Sequence, residues 1–229
     1  MPKKAKKAKA KEYWFSKYQV PDLPVGTKGS WAIQKFEVEP EAAAMHQLSC
    51  MFSMGGIGSR RGIREGHYTR LAHKHRGVVM SDTPAEINDH YEAFLQTEAA
   101  AKAGGATILV HGLGMGMFPN YCLQLKGVEH VTIVEIDPEV IALTGAHYLK
   151  KYGADRLTII EADAEKWKPE PHSFWDVVWH DIWDSICEDN WDSIKSFHRR
   201  FGSRAGWQGS WSRPEIQRMQ RQDRERSWW

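Results

Sequence analysis

The chain has 229 residues, 41% of them hydrophobic and 26% charged, which is the size and mixture of one globular domain with modest appendages. No run approaches the roughly 18 apolar residues of a membrane helix. The lysine-rich start MPKKAKKAKAKEYW is followed by neither an apolar stretch nor a small-residue cleavage site, so a cytoplasmic protein without membrane contact is expected. Cys50, Cys122 and Cys187 are odd in number and far apart, which argues against a disulfide framework and against a zinc knuckle.

The net charge of +2 conceals an asymmetry. Residues 1–11 carry six lysines and no acid, and from Arg199 onward eight arginines face three acids. The body between, 12–198, holds 17 basic and 26 acidic residues. An acidic body repels phosphate backbones, so nucleic acid is expected at the basic ends if anywhere, and a small-molecule substrate, a cationic amine among the candidates, is favoured.

In chain order, residues 1–11 read as a disordered, solvated tail. Residues 12–103 read as an N-terminal extension with short strands and a lead-in helix. Its first part, 13–66, looks irregular, with Pro21, Pro24, Pro40, a short apolar run at 48–54 and the turn-rich GGIGSRRG. The stretch HYTRLAHKHRGVVM holds one or two strands, after which Ser81, Asp82 or Thr83 caps a helix running towards Lys102. From 104 to 212 strand alternates with helix: ATILVHG, HVTIVEID, PEVIALTGAHYLKKYG, RLTIIEAD and WDVVWHD. Continuous β-branched runs separated by helical patterns signal parallel strands buried on both faces. The fold expected is α/β, a Rossmann-like, doubly wound and mostly parallel sheet with strands over 107–111, 131–135, 157–161 and 175–180. The residues beyond the fourth strand leave room for a helix over 189–201, a short fifth strand near 207–211 and a basic helix or tail over 213–229, so the sheet is expected to be truncated at its C-terminal strands.

The first strand ends in Gly112-Leu113-Gly114-Met115-Gly116-Met117, a GxGxG loop entering a helix. A dinucleotide fingerprint needs its third glycine at 117, which is Met, so NAD is disfavoured, and the Lys-Ser or Lys-Thr of a P-loop is missing. Glu135 closes the second strand 23 residues beyond Gly112, where an α/β sheet presents a carboxylate to ribose hydroxyls. Asp163 closes the third strand, placed for an adenine amino group, and Asp181 closes the fourth, with Asp184 just beyond. Individually Asp163 and Asp184 also read as helix caps. As an ordered set, one glycine loop and three carboxylates on successive strand ends describe a nucleoside site on one rim. His180 alternates away from Asp181 on a buried strand, and the tryptophans from Trp167 to Trp211, Trp179 and Trp183 included, read as core packing before cation–π partners. His67, His73 and His75 complete no known metal spacing, so no metal is expected.

These motifs resemble the class I S-adenosylmethionine-dependent methyltransferase fold, and within it the spermidine synthase branch. VEIDPEVIAL is similar to that branch's second-strand motif, Ala162-Asp163-Ala164 to its adenine-contacting Gly-Asp-Ala, and WDVVWHDIWD to its aspartate-bearing fourth-strand motif. MSDTPAEINDHYEAF resembles the lead-in of small phage-encoded members, which would place the protein in a host cytoplasm. The resemblance implies S-adenosyl-L-methionine, or its decarboxylated form, held by Gly112, Leu113, Gly114, Gly116, Glu135, Ile136, Asp163, Ala164 and Asp181. It implies Asp181 as the group that receives the acceptor, with Asp184 as the next candidate. Two departures stand out: the acid usual two places before the first glycine is Val110, and the Pro-rich loop after the catalytic aspartate is Ser185-Ile186-Cys187-Glu188. Methyl transfer to a small acceptor is the leading expectation, aminopropyl transfer from the decarboxylated cofactor the second, and a non-catalytic nucleoside-binding or interaction protein the third. A homo-oligomer, in which a partner subunit completes the acceptor pocket, is compatible with all of them.

Overall fold

The structure is a computed structural model that describes residues 13–52 and 62–226. Two sheets organise it. The first is antiparallel, in the order β1-β2-β3-β4, from β1 (Gly26–Lys28), β2 (Trp31–Val38), β3 (Gly66–His73) and β4 (Gly77–Ser81). Helix α1 (Pro40–Phe52) lies between β2 and β3 in the chain. The expectation of irregular chain before 66 is thereby corrected. The segment WAIQKFEV buries Trp31 and Ile33 on one face, the period-2 signature of a half-buried strand, and pairs with β3 from Trp31 opposite His73 to Val38 opposite Gly66. Within GGIGSRRG only the last glycine belongs to the described residues, and the 1–11 tail lies outside them.

The lead-in helix is two helices, α2 (Pro84–Asp89) and α3 (Tyr91–Ala103), meeting at His90. Pro84 at the first helical position fits its fixed φ, and Thr83 takes the capping position, but none of Ser81, Asp82 and Thr83 caps the helix through its side chain. The Asp82 carboxylate is drawn away by Val20 N–H (3.0 Å) and Thr69 N–H (2.6 Å), which tie the N-terminal segment to β3.

The second sheet has five strands, all parallel, in the order β7-β6-β5-β8-β9. They are β5 (Ala106–His111), β6 (Val128–Glu135), β7 (Leu157–Glu161), β8 (Trp175–His180) and β9 (Ala205–Ser210). Successive side chains of β5 go to opposite faces: Ile108 and Val110 join a core with Phe94, Phe118 and Tyr148, while Leu109 joins Val134, Val178, Phe197 and Phe201. Helix α4 (Met117–Gln124) follows β5. After β6, Asp137 caps a helix by accepting from Glu139 N–H (2.8 Å) and Val140 N–H (3.4 Å). That helix, expected to be continuous, runs as α5 (Pro138–Val140), a π-helical turn over Ile141–Gly145, and α6 (Ala146–Tyr152). Helix α7 (Trp191–Phe201) covers the opposite face and α8 (Arg213–Arg226) comes after β9. Residues 162–174 contain no helix; Arg200 of α7 holds this link instead, donating through Nη1 to the carbonyls of Ala164 (3.3 Å), Glu165 (2.8 Å) and Trp167 (3.2 Å).

Candidate functional site

The C-terminal ends of β5, β6 and β8 and the residues just past β7 open on one cavity of about 490 Å³, within the usual range for a site that encloses a small molecule. Gly112, Leu113, Gly114, Glu135, Ile136, Asp163, Ala164, Asp181 and Asp184 all line it. Gly116 does not; it turns the chain into α4 at φ 70°, and a Cβ there would run into the Tyr148 ring. Gly112, at φ 92°, has the Asp181 carbonyl where a Cβ would stand, so this glycine is what lets the ends of β5 and β8 come together.

The glycine loop keeps most of its donors at home. Gly112 N–H donates to the Val134 carbonyl (2.8 Å) and Gly116 N–H to the Leu113 carbonyl (2.7 Å). Met115 N–H meets the Met80 sulfur at 3.2 Å, and Leu113 N–H donates to Glu135 Oε2 (2.7 Å). Such a loop is no phosphate cradle, which removes the dinucleotide reading on geometric grounds. Glu135 also accepts Asp137 N–H on Oε1 (2.9 Å), with Ile136 N–H as a third backbone partner, which leaves the carboxylate acceptor capacity for a further donor. Burial raises its carboxyl above the ordinary range, against these backbone bonds. Asp163 turns its own loop by accepting from Glu165 N–H (3.0 Å), and Lys166, at 2.8 Å, holds it below the usual carboxylate range. Ile136 is 64% exposed beside them, a bare apolar surface at the cavity edge.

The other end of the cavity comes from the N-terminal sheet. Trp31, Leu71, Arg76, Val79 and Met80 form that wall. It is tied to the strand ends by Trp31 Nε1–H donating to Asp137 Oδ2 (2.7 Å) and Ser30 N–H donating to Glu139 Oε2 (2.9 Å). Two ion pairs stand there. Buried His90 donates through Nε2 to Asp181 Oδ2 (2.8 Å) and through Nδ1 to the Glu86 carbonyl (2.8 Å). Burial opposes its charge, but Asp181 and the Glu86 carbonyl outweigh that and raise the imidazole to about 9. Arg76 Nη1 lies 3.1 Å from Asp184 Oδ2, its guanidinium 4.8 Å from the Trp31 ring centre. Sequence reasoning named neither His90 nor Arg76. Their partners lie 91 and 108 residues away, so no local pattern marks either residue.

His180 faces away from Asp181, as the strand alternation requires, and meets His111 across the sheet with Nδ1 to Nδ1 at 2.8 Å. The tautomers follow from the chain of donors. Gln208 Nε2 donates to the His198 carbonyl (2.9 Å), so Gln208 Oε1 accepts from His180 Nε2–H (3.3 Å), and His180 Nδ1 accepts from His111. His111 Nε2 is left without a partner among the described residues. Both rings are fully buried, and burial lowers His111 to about 3 and His180 well below the ordinary value, so both are neutral. Among the described residues no three His, Cys, Asp or Glu side chains gather as a metal site, and no helix is long and apolar enough to cross a membrane.

An all-parallel sheet whose order, numbered along the second sheet alone, is 3-2-1-4-5, with a glycine loop after the central strand and an acid at the end of its neighbour, is a Rossmann-like, doubly wound α/β fold, the architecture expected of a class I S-adenosylmethionine-dependent methyltransferase. More particularly, the chain is distantly similar to polyamine aminopropyltransferases. Polyamine aminopropyltransferase 2 of Ralstonia nicotianae is 29% identical over 94 residues, covering 38% of this chain and 18% of that protein. The chain therefore matches less than a fifth of that relative's length. No protein-family model matches. Solved structures that align with the chain include Arabidopsis thaliana protein arginine methyltransferase 10, at 20% identity and a TM-score of 0.39, covering 50% of this chain and 32% of that one. An S-adenosylmethionine-dependent methyltransferase from Mesorhizobium loti aligns at 20% identity and a TM-score of 0.35, covering 49% and 48%. The fold assignment rests on the sheet itself.

Proposed function

We propose that the protein is an S-adenosylmethionine-dependent transferase that moves a methyl group to a small acceptor. The observation that carries this reading is the convergence of Glu135, Asp163 and Asp181 with the Gly112 loop on one cavity of sufficient size. The residues fit the cofactor: Glu135 retains acceptor capacity for a ribose hydroxyl beyond its backbone partners, Ile136 offers an apolar face for a base, and Asp163 stands on the same side. When bound, S-adenosylmethionine supplies an electrophilic carbon on a sulfonium. What the chain contributes is position and a proton acceptor. Asp181 Oδ2 is pinned by His90, while Oδ1 makes no hydrogen bond among the described residues and can receive the O–H or N–H of an acceptor.

Aminopropyl transfer from the decarboxylated cofactor is the second reading, favoured by the similarity to polyamine aminopropyltransferases. Calorimetry with S-adenosylmethionine, its decarboxylated form and S-adenosylhomocysteine separates the two, followed by mass spectrometry of what the protein makes from each. Binding of none of the three overturns the proposal; binding without turnover on any acceptor leaves a nucleoside-binding protein in its place.

A further inference from the structure

We infer that the lysine run over residues 3–11 is a ligand of this cavity, lying across its acidic mouth and competing with any cation that arrives from outside. The inference goes beyond the transferase reading and does not require that the cavity hold a cofactor.

Among the described residues the lining carries seven carboxylates and two cations. Both cations are spent inside, His90 on Asp181 at 2.8 Å and Arg76 on Asp184 at 3.1 Å. From outside the lining, Lys166 reaches Asp163 at 2.8 Å, and Arg200 donates to the carbonyls of Ala164 and Glu165. Glu86, Glu135, Asp137 and Glu165 make up the seven, so the surplus stays negative even with those outer cations counted. Glu165 and Asp184 are exposed and bring carboxylates to the mouth. A cleft lined by one sign of charge, with apolar walls such as Leu71, Val79 and Met80, focuses its field and concentrates the opposite charge.

The complementary charge is in the same chain. Residues 1–11 hold six lysines and no acid. The described chain begins at Tyr13, and Trp14 stands edge-on to Tyr91 with ring centres 5.6 Å apart, one residue after His90 of the cavity wall. From that root an extended chain reaches about 7 Å to Lys11 and about 35 Å to Lys3, against a radius of gyration of about 17 Å for a protein of this length. The mouth is therefore within range of several ammonium groups at once. A tether this short supplies them at an effective concentration roughly in the millimolar range. Their aliphatic stems also suit walls that combine carboxylates with apolar surface. A cation from solution then has to displace the run before it enters.

The test uses the full chain, as wild type and as a variant carrying Lys3→Gln, Lys4→Gln, Lys6→Gln, Lys7→Gln, Lys9→Gln and Lys11→Gln together, which keeps the length and removes the charge. A fluorescently labelled peptide with the sequence of residues 1–12 is titrated into each at low salt and followed by polarisation. The neutral-tail variant is expected to bind the peptide about tenfold or more tightly than wild type, because nothing in its own chain competes. Salt at 1 M, where the screening length is about 3 Å, is expected to abolish the difference. Zero-length carbodiimide cross-linking of wild type, mapped by mass spectrometry, is expected to join the tail lysines to Glu165 and Asp184 ahead of Glu129 and Asp155, exposed acids at the opposite ends of the strands. Equal affinity of both proteins for the peptide, failure of the neutral-tail variant to bind it, or cross-links that favour Glu129 and Asp155 each overturn the inference. Cross-links that fade on dilution overturn it too, by assigning the run to a second copy of the chain.

Discussion

Replacing His90 and replacing His180 should tilt the dependence of stability on pH in opposite directions. His180 is neutral in the fold and protonates near 6.5 when the chain unfolds, so its contribution is present above 6.5 and lost as pH falls. His90 is raised to about 9, so its contribution is complete below 6.5 and lost as pH rises through 9. Between pH 7.5 and 5.5 an unfolded histidine takes up nearly a full proton. A ring that stays neutral in the fold then costs about 1.4 kcal/mol across that window, and a ring that stays charged gains about as much. His180→Gln should therefore lose less stability than wild type on acidification, and His90→Gln more, so that the two variants differ by about 3 kcal/mol in their change across the window. Urea unfolding followed by circular dichroism at both pH values reads this directly, whatever each substitution costs at neutrality. Parallel profiles, or a tilt of the same sign in both variants, would refute the assignment of one charged and one neutral ring.

The remaining predictions concern the site and its frame. Glu135→Ala should weaken binding of S-adenosyl ligands by about tenfold or more through loss of charged hydrogen bonds, and calorimetry showing unchanged affinity in a folded variant would remove it from the site. Asp181→Asn should retain the ligand but lower turnover by about 10²–10⁴, the usual contribution of a positioned base, once an acceptor is found; full turnover would move the role to Asp184. Trp31→Phe deletes the bond to Asp137 and should cost about 1.5–3 kcal/mol, visible as faster amide exchange along β2 with β8 unaffected. Gly116→Ala, at φ 70° against Tyr148, should cost on the order of 2 kcal/mol in urea unfolding, and a neutral result would mean that the turn relaxes freely.

Much of the second sheet is written locally. TILVH, VTIVE and WDVVWH are runs that only a strand buried on both faces accommodates, and the glycine and carboxylates at their ends declare the rim. The first sheet was legible in part: WAIQKFEV alternates correctly, but its partner strand comes 28 residues after its end, and the prolines around it mask the pattern. The break at His90 was not legible at all. Tyr, Glu and Ala continue the helix on propensity, and what stops it is a bond to an aspartate at the far side of the chain. The same holds for charge. Asp181 and Asp184 read in the sequence as acids at the acceptor end of the site, whereas folding pairs each with a cation from earlier in the chain, His90 and Arg76.

Every tie that closes the cavity spans a long stretch of chain: 106 residues for Trp31 to Asp137, 91 for His90 to Asp181, 108 for Arg76 to Asp184. Contacts of that separation must overcome loop-closure entropy before they return any energy, so the cavity assembles late, after the parallel sheet has supplied the partners. The two walls are nevertheless held by more than those ties, because Trp31, Ile33, Tyr68 and Leu71 stand in one continuous apolar core with Ile108, Val110 and Leu113. Parting the N-terminal wall from the strand ends therefore costs apolar packing as well as the polar bonds, and the late ties trim the shape of a cavity whose frame the core already holds.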